Sequence, residues 1–401
     1  MQQLAVPVLM FELTDSNTWV GAAAFSILIP GFLLNPVAGV IADKASRRVV
    51  MMFTLSAQTL VTVGFAILWE NGSLTPWAIL ALGLCQGIAS GIQIAAWQSL
   101  VPLLVPPEHL LTAVRLNSAQ FIAARALGPL AGAGILALVG IGTVFIVNGA
   151  TFLMLVSVVA IIKPRETAPP STEPPVKVFK EGLSYVAARR PLLQAIWVGF
   201  SISFFGQALV QIAAGLARQD YSVGQVGLAG FYTAVGFGSV LASVVLIAVG
   251  DNLPRSRVAL VGYAVYSVGI VLAAATTNYR VGLLGFFIMG IAHVTIAISV
   301  NTAVQIQVSE AVRGRVMSIY LMGIFGGIPL GAFLWGRLGD IFGMRWVYLM
   351  SGFLMAMFLL FAIFVLKGLR EIDANEDTAD EDNLWEEDSW DDNPWEEKPF
   401  S

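Results

Sequence analysis

Long apolar runs separated by short polar or Gly/Pro-rich segments occupy most of the chain. Each run is close to the roughly 20 residues that a helix needs to cross a hydrocarbon core of about 30 Å. The pattern predicts a short apolar helix at 2–13, followed by spans at 17–41, 49–69, 76–104, 112–139, 142–162, 192–217, 224–249, 257–276, 280–305, 316–338 and 346–366. The runs do not alternate as barrel strands do. The prediction is therefore an all-α integral membrane protein that lies in the lipid bilayer.

Composition and chemistry agree with that prediction. Hydrophobic residues make up 57% of the 401 residues and charged residues only 12%, too little polar surface for a water-soluble domain of this size. The single cysteine, Cys85, cannot form an intrachain disulfide. We find no metal-ligand cluster, nucleophile–base pair or phosphate-binding glycine loop. We therefore expect neither an enzyme nor a cofactor, and no nucleic-acid partner.

The positive charges lie mostly on one side of the predicted spans. Of the 22 Lys and Arg residues, 17 lie in the loops that follow every second span, the 163–191 segment and the tail. The positive-inside rule places these segments and both chain ends in the cytoplasm. A cytoplasmic start requires the first helix to span, yet 2–13 is about half a span, so the sequence predicts that helix 1 is truncated and that the natural chain begins upstream.

The chain divides into two similar halves. Residues 163–191 are rich in Pro and charge, which predicts a linker with a short amphipathic helix around 176–188. This linker separates a first bundle at 1–162 from a second at 192–370. An internal repeat at an offset of 200 aligns Arg115 with Arg315 and Pro129 with Pro329. Such repeats predict two six-helix bundles that rock about a central site.

The run G-V-I-A-D-K-A-S-R-R at 39–48 resembles the G-x-x-x-D-R/K-x-G-R-R loop of the major facilitator superfamily, with Ser46 in place of the second Gly. The resemblance implies the major facilitator fold and a cytoplasmic gating loop. The predicted gating residues are Gly39, Asp43, Lys44, Arg47 and Arg48, a degenerate second-half counterpart with Asp251, Arg255 and Arg257, and Arg313 and Arg315. The alternative is that these cations only set the topology.

The fifth span carries A-R-A-L-G-P-L-A-G-A-G at 124–134, similar to the Gly-Pro motif of superfamily exporters. It predicts close helix packing through Gly128, Pro129 and Gly132, and through Pro329 in the second half. The runs E-A-V-R-G-R-V-M-S at 310–318 and L-V-P-P-E-H-L at 104–110 resemble the branch that contains the enterobactin exporter and macrolide-efflux relatives. The resemblance implies secondary active export of a small organic solute by alternating access. Import by the same fold and a non-transporting membrane receptor or assembly protein remain alternatives.

In this fold, the first, fourth, seventh and tenth helices line the substrate cavity. The polar candidates are Gln93, Trp97, Gln98, Gln207, Gln211, His293, Asn301 and Gln305, joined by Arg125, a charge within the fifth span. The rival interpretation is that such side chains only link helices by hydrogen bonds. Proton coupling is expected, with His293 as a titratable candidate. The helix-four pattern R-x-x-Q-G is broken, because Gly83 stands where the Arg would be.

The last 31 residues, 371–401, form an acidic tail with 14 acids and one Lys. Such a composition predicts a disordered segment. Trp385, Trp390 and Trp395 recur at intervals of five. The tail is therefore a candidate for docking on a partner or on the protein's own basic loops, with a purely solvating tail as the alternative.

Overall fold

The computed structural model describes residues 2–44, 46–109, 138–162, 175–249, 254–308 and 310–366, scattered positions between 112 and 136, and Leu369 and Asp373. The fifth predicted span therefore lies largely outside the described residues. The structure is helical throughout the long described segments, and ten of its helices are long and apolar enough to cross a membrane. The predicted all-α membrane fold is confirmed.

The first described half contains α1 (Gln2–Thr14), α2 (Asn17–Lys44), α3 (Arg47–Glu70), α4 (Pro76–Leu100) and α5 (Ile141–Ile161). A linker helix, α6 (Pro175–Ala188), lies where the amphipathic helix was predicted. The second half contains α7 (Arg190–Ser201), α8 (Gln225–Val249), α9 (Arg255–Ala275), α10 (Tyr279–Ile306), α11 (Glu310–Phe342) and α12 (Met344–Phe364).

The helix connections define two ends of the bundle. One end carries the α2–α3, α8–α9 and α10–α11 connections and both ends of α6. We call it the basic end, because most Lys and Arg residues of the sequence fall in these segments. The other end, which carries the α1–α2, α3–α4 and α11–α12 connections, is called the opposite end. Helix α2 runs to Lys44 and α3 begins at Arg47, so most of the run predicted as a gating loop is the last part of a helix.

Glycines set the contact between α2 and α4 in the first half. Gly83, Gly87 and Gly91 recur every four residues and therefore share one face of α4. A Cβ atom on Gly87 would lie 2.3 Å from the carbonyl oxygen of Ile27, and one on Gly83 would lie 2.6 Å from the hydroxyl of Ser26. An Arg at position 83 would not fit against α2, which gives a physical reason for the broken helix-four pattern.

Substitution of Gly87 by Leu is expected to unfold the first half rather than alter its mechanism. The added side chain meets a backbone carbonyl that cannot rotate away, and overpacking of this kind costs about 1–3 kcal/mol or more. The measurement is thermal aggregation of the detergent-purified protein. Gly64→Leu on α3 is the matched control, because a Cβ at that position would lie 3.5 Å from a flexible Leu82 methyl and would meet no backbone atom within 4 Å. Equal melting temperatures of the two variants would contradict the prediction.

Helix α7 does not continue as a regular α-helix. The chain winds more widely in π-helical turns at Ile202–Gln207 and Leu216–Asp220, with short α-helical segments between them. Side chains from α11 and α12 satisfy carbonyls of this region: Trp335 donates to Phe204 O at 2.8 Å and Ser351 to Phe205 O at 2.6 Å. Wide turns of this kind often mark functional sites. We call residues 202–220 the α7 continuation.

Candidate functional site

The two halves meet along α2 and α11. A Cβ on Gly21 would lie 2.3 Å from the carbonyl oxygen of Ala332, and one on Gly336 would lie 2.4 Å from the carbonyl oxygen of Asn17. Phe25, one turn further along α2 from the opposite end than Gly21, packs against Phe333, with ring centroids 5.8 Å apart. The backbones therefore touch over the part of α2 nearest the opposite end.

Asp340, near the end of α11, caps the N-terminus of α2 in the other half. Its Oδ1 accepts from the backbone N of Asn17 at 2.6 Å and from Asn17 Nδ2 at 3.0 Å. Its Oδ2 accepts from Thr18 N at 2.9 Å and from the Ser16 hydroxyl at 2.5 Å. Free backbone N–H groups and the helix dipole make a helix N-terminus a favourable place for a carboxylate. The cap joins residues more than 320 positions apart.

Two more hydrogen bonds connect the halves at the same end. Asn17 Nδ2 donates to Gln219 Oε1 at 3.3 Å, and Gln225 Nε2 donates to Glu12 Oε1 at 2.7 Å. Asp220 follows Gln219 directly. Burial raises the pKa of the Asp220 carboxyl, while the charge and backbone N–H of Arg345 oppose that shift. We call the set of Glu12, Ser16, Asn17, Gln219, Gln225 and Asp340 the opposite-end clasp.

In the first half, the predicted cavity residue Gln93 belongs to an amide ladder between α3 and α4. The Gln58 amide donates to Gln93 Oε1 at 2.6 Å, and the Gln86 amide donates to Gln58 Oε1 at 3.0 Å. Gln58 and Gln86 are buried and Gln93 is half-buried. This geometry fits the helix-linking interpretation for Gln93. Gln98 is exposed, and Trp97 Nε1 donates to Asn117 Oδ1 of the fifth span at 3.0 Å.

In the second half, Gln207 and Gln211 lie on the α7 continuation, one at the end of the first wide turn and the other one turn further on. Both are half-buried. The same stretch of chain carries an aromatic cluster: Phe204 stacks on Phe200 with centroids 5.5 Å apart and packs against Trp335 at 5.9 Å. Amide groups and aromatic rings therefore occur on one segment, a combination suited to a weakly polar organic solute.

The three candidates on α10 have different surroundings. His293 is buried, and its ring packs edge-on against Tyr266 of α9 at 6.1 Å. That contact places it within the packing of the second half. Gln305 is exposed and donates to Asn301 Oδ1 one turn earlier. Their role as substrate contacts stays a prediction.

The predicted gating cations make structural contacts at the basic end. Arg48 donates to the carbonyl oxygens of Val159, at 3.1 Å, and Ala160, and so binds the C-terminal end of α5, where a cation is favoured. Arg315 donates to Glu181 of the linker helix at 2.8 Å. Arg313 Nη2 approaches Val308 O at 3.4 Å. Arg47 and Arg255 are half-buried and have interaction partners, whereas Arg257 is exposed.

The remaining predicted residues fall partly outside the described residues and partly within the helices. Arg125, Pro129 and Asp251 lie outside the described residues, as do the side chains of Asp43 and Lys44. Gly39 lies within α2 and Gly132 is buried in the fifth span. The Cβ of a residue at 128 would meet nothing within 4 Å, so Gly128 makes no close helix contact with the described residues. Pro329 lies inside α11 and is buried.

Sequence reasoning missed the opposite-end clasp. Asp340 and Asn17 are ordinary polar residues at the ends of predicted spans, where solvent exposure is the usual explanation. The available signal is the cluster T-D-S-N at 14–17 together with G-D at 339–340, both at predicted span ends on the same side of the membrane. Pairing the two needs the three-dimensional fold.

Comparison with known proteins identifies the family. A family model described as transmembrane secretion effector, within the major facilitator superfamily, matches residues 1–393. The chain belongs to this branch of the major facilitator superfamily. It is a multi-pass membrane transporter and not an enzyme, in agreement with the sequence prediction.

Relatives of this transporter include proteins described as exporters. The multi-drug resistance efflux pump PmrA of Streptococcus pneumoniae is 26% identical over 360 residues, which cover 88% of each chain. The enterobactin exporter EntS of Salmonella choleraesuis is 25% identical over 381 residues, 92% of this chain and 88% of that protein. An uncharacterized transporter of the superfamily from Bacillus subtilis, YfiS, is 25% identical over 365 residues, 86% of this chain and 84% of that protein.

Solved structures agree on the fold of this transporter. A crystal structure of a mutant of the nucleoside transporter NupG has a TM-score of 0.72 at 15% identity, covering 90% of this chain and 94% of that one. An inward-facing, occupied structure of a bacterial homologue of the human lysosomal transporter Spinster has a TM-score of 0.71 at 14% identity, covering 93% and 94%. The predicted major facilitator fold is confirmed.

The amide ladder gives a test of the two interpretations of the polar residues. Gln58→Leu leaves the Gln86 and Gln93 amides without their shared partner, so we expect a loss of stability of about 1–2 kcal/mol. Gln98→Ala removes an exposed side chain and should leave the melting temperature unchanged. Thermal melting of both purified variants measures this difference. A lowered melting temperature in Gln98→Ala alone would contradict the assignment.

Proposed function

We propose that this transporter is a secondary active exporter of a small organic solute, such as a siderophore, a macrolide or another drug-like compound. It works by alternating access between the two halves. The basic end faces the cytoplasm, the opposite end faces outward, and the transporter resides in the cell membrane as a multi-pass protein with a cytoplasmic C-terminus. The positive-inside rule supports this orientation.

The opposite-end clasp is the observation that carries the proposal. Six hydrogen bonds join the halves there, and all use side chains or helix-terminal N–H groups that water could satisfy if the halves separated. The tight α2–α11 contact lies beside them. Asn17 is buried, whereas the other clasp residues are exposed or half-buried, and a closure made of such polar groups and glycine contacts can break and re-form, as alternating access requires.

Export is favoured over import by the relatives. PmrA and EntS are described as an efflux pump and an exporter, and each covers most of this chain. The surface of Gln207, Gln211, Phe200 and Phe204 supplies amides and aromatic rings rather than charges. Such a surface fits a weakly polar solute better than a highly charged one. We take H⁺ as the coupling ion.

The test is a panel of siderophores, macrolides and other drugs in a bacterium that lacks its own efflux pumps. Cells that express this transporter should accumulate at least one compound less than cells with an empty vector, and a protonophore should abolish the difference. Gln207→Ala and Gln211→Ala should change which compounds are exported, with unchanged membrane expression.

Two outcomes distinguish the alternatives. Higher accumulation of a compound in expressing cells would favour an importer. Absence of flux across the whole panel, together with absence of substrate-dependent flux in proteoliposomes, would favour a membrane receptor or assembly protein. Export that persists with the protonophore would reject proton coupling and keep export itself.

A further inference from the structure

The chain turns back towards the bundle after the last helix. Helix α12 ends at Phe364, and Leu369 is fully buried in the main hydrophobic core. Leu369 adopts a positive φ of 56°, a conformation that a β-branched or bulky residue rarely adopts without surrounding contacts. The start of the C-terminal segment is therefore fixed by burial.

Asp373, four residues later, binds the N-terminus of α9. Its Oδ1 accepts from the backbone N of Ser256 at 2.9 Å, and its Oδ2 accepts from the Ser256 hydroxyl. The carboxylate thus occupies the N-terminus of a helix whose first turn carries Arg255 and Arg257. Asp373 therefore lies at the basic end, next to the second-half counterpart of the gating loop.

The remaining tail is opposite in charge to the basic end. Residues 374–401 carry 12 acids and one Lys. Lys177, Lys180, Arg190 and Arg257 are exposed on α6, α7 and α9 at the basic end. A flexible segment of 28 residues has a root-mean-square span of about 30 Å, equal to about three helix diameters of roughly 10 Å. The tail is long enough to reach from α9 to the linker helix.

From the docked Asp373, the buried Leu369 and this charge complementarity, we infer that residues 374–401 bind the basic end of their own chain across α9, α7 and α6. Trp385, Trp390 and Trp395 supply rings for contact with the cationic side chains. The protein already shows such a contact, because the Arg189 guanidinium stands 3.6 Å above the Tyr185 ring. The tether gives an effective concentration in the millimolar range, so weak individual contacts suffice.

The docking does not depend on the proposed function, since it requires only the acids of the tail and the cations of the basic end. A soluble partner protein is the competing occupant. The experiment therefore measures docking in the purified full chain, where no partner is present.

The test attaches a nitroxide spin label to Ser389→Cys, in a Cys85→Ser background because Cys85 is exposed. In lipid nanodiscs at 20 mM salt, we expect more than half of the label to be immobilised. At 500 mM salt, where the Debye length falls to about 4–5 Å, the immobilised fraction should fall at least twofold. The triple variant Lys180→Gln, Arg190→Gln, Arg257→Gln should lose it similarly at low salt.

The matched control is Arg218→Gln, Arg280→Gln, Arg337→Gln, which removes the same charge from exposed residues at the opposite end. It should leave the label immobilised. A label that is equally mobile at both salt concentrations would overturn the inference. So would immobilisation that the opposite-end variant abolishes, or that disappears when the total concentration of nanodiscs is lowered, since the last result identifies contact between copies.

Discussion

Cross-linking Ser16→Cys to Asp340→Cys is expected to stop transport almost completely. The two side chains belong to different halves and touch at 2.5 Å, so a disulfide or a short bifunctional linker between them holds the opposite end closed. If the halves must separate there in every transport cycle, a covalent bond between them holds the protein in the closed state and prevents its exchange with the open state. Efflux of an identified substrate should fall at least about 50-fold on oxidation and return on reduction.

The controls for this experiment are the two single variants in the same Cys85→Ser background. Each should respond to oxidant as the parent does, because neither can form the bond. The single Asp340→Cys variant also loses the cap of α2. Such a cap stabilises a helix by about 0.5–2 kcal/mol at most sites, and by less when the carboxylate is exposed. The transport rate of this variant before oxidation therefore differs from that of the parent. Full transport by the cross-linked protein would show that the opposite end does not open.

Hydropathy predicted the spans well because a bilayer imposes a length on each helix. Regions such as Arg255–Ala275 and Tyr279–Ile306 were located to within a few residues. The structure extended the span predicted at 316–338 into Glu310–Phe342, since polar helix ends that project from lipid carry no hydropathy signal. The helical geometry of the run that ends at Lys44 was missed for the same reason.

The candidate site was less predictable, because its contacts join distant segments. Gln93 was correctly located on a helix, but only the fold places Gln58 beside it. Gly83, Gly87 and Gly91 are visible as a repeat, yet the sequence does not say that they face α2. The wide turns of the α7 continuation have no pattern of their own, since they depend on Gly206 lying against Tyr266 and on Trp335 satisfying a carbonyl.

Gly21→Leu is expected to abolish transport while the protein stays folded, in contrast to Gly87→Leu. A Cβ atom added to either glycine would lie 2.3 Å from a backbone carbonyl oxygen, so the steric conflict is equal. Gly87 meets Ile27 of its own half, whereas Gly21 meets Ala332 of the other half. The fold cannot relieve the first clash without losing its packing. The second is relieved when the halves separate at the opposite end.

A penalty of about 1–3 kcal/mol applied only to the closed state shifts the population towards the open state by about 5- to 150-fold. The measurement is labelling of Phe25→Cys, a residue at the α2–α11 contact, by a membrane-impermeant maleimide in a Cys85→Ser background. Labelling should be faster in Gly21→Leu by that factor, with a melting temperature near that of the parent. If Gly21→Leu instead unfolds like Gly87→Leu, the α2–α11 contact is a permanent part of the core and not a surface that opens.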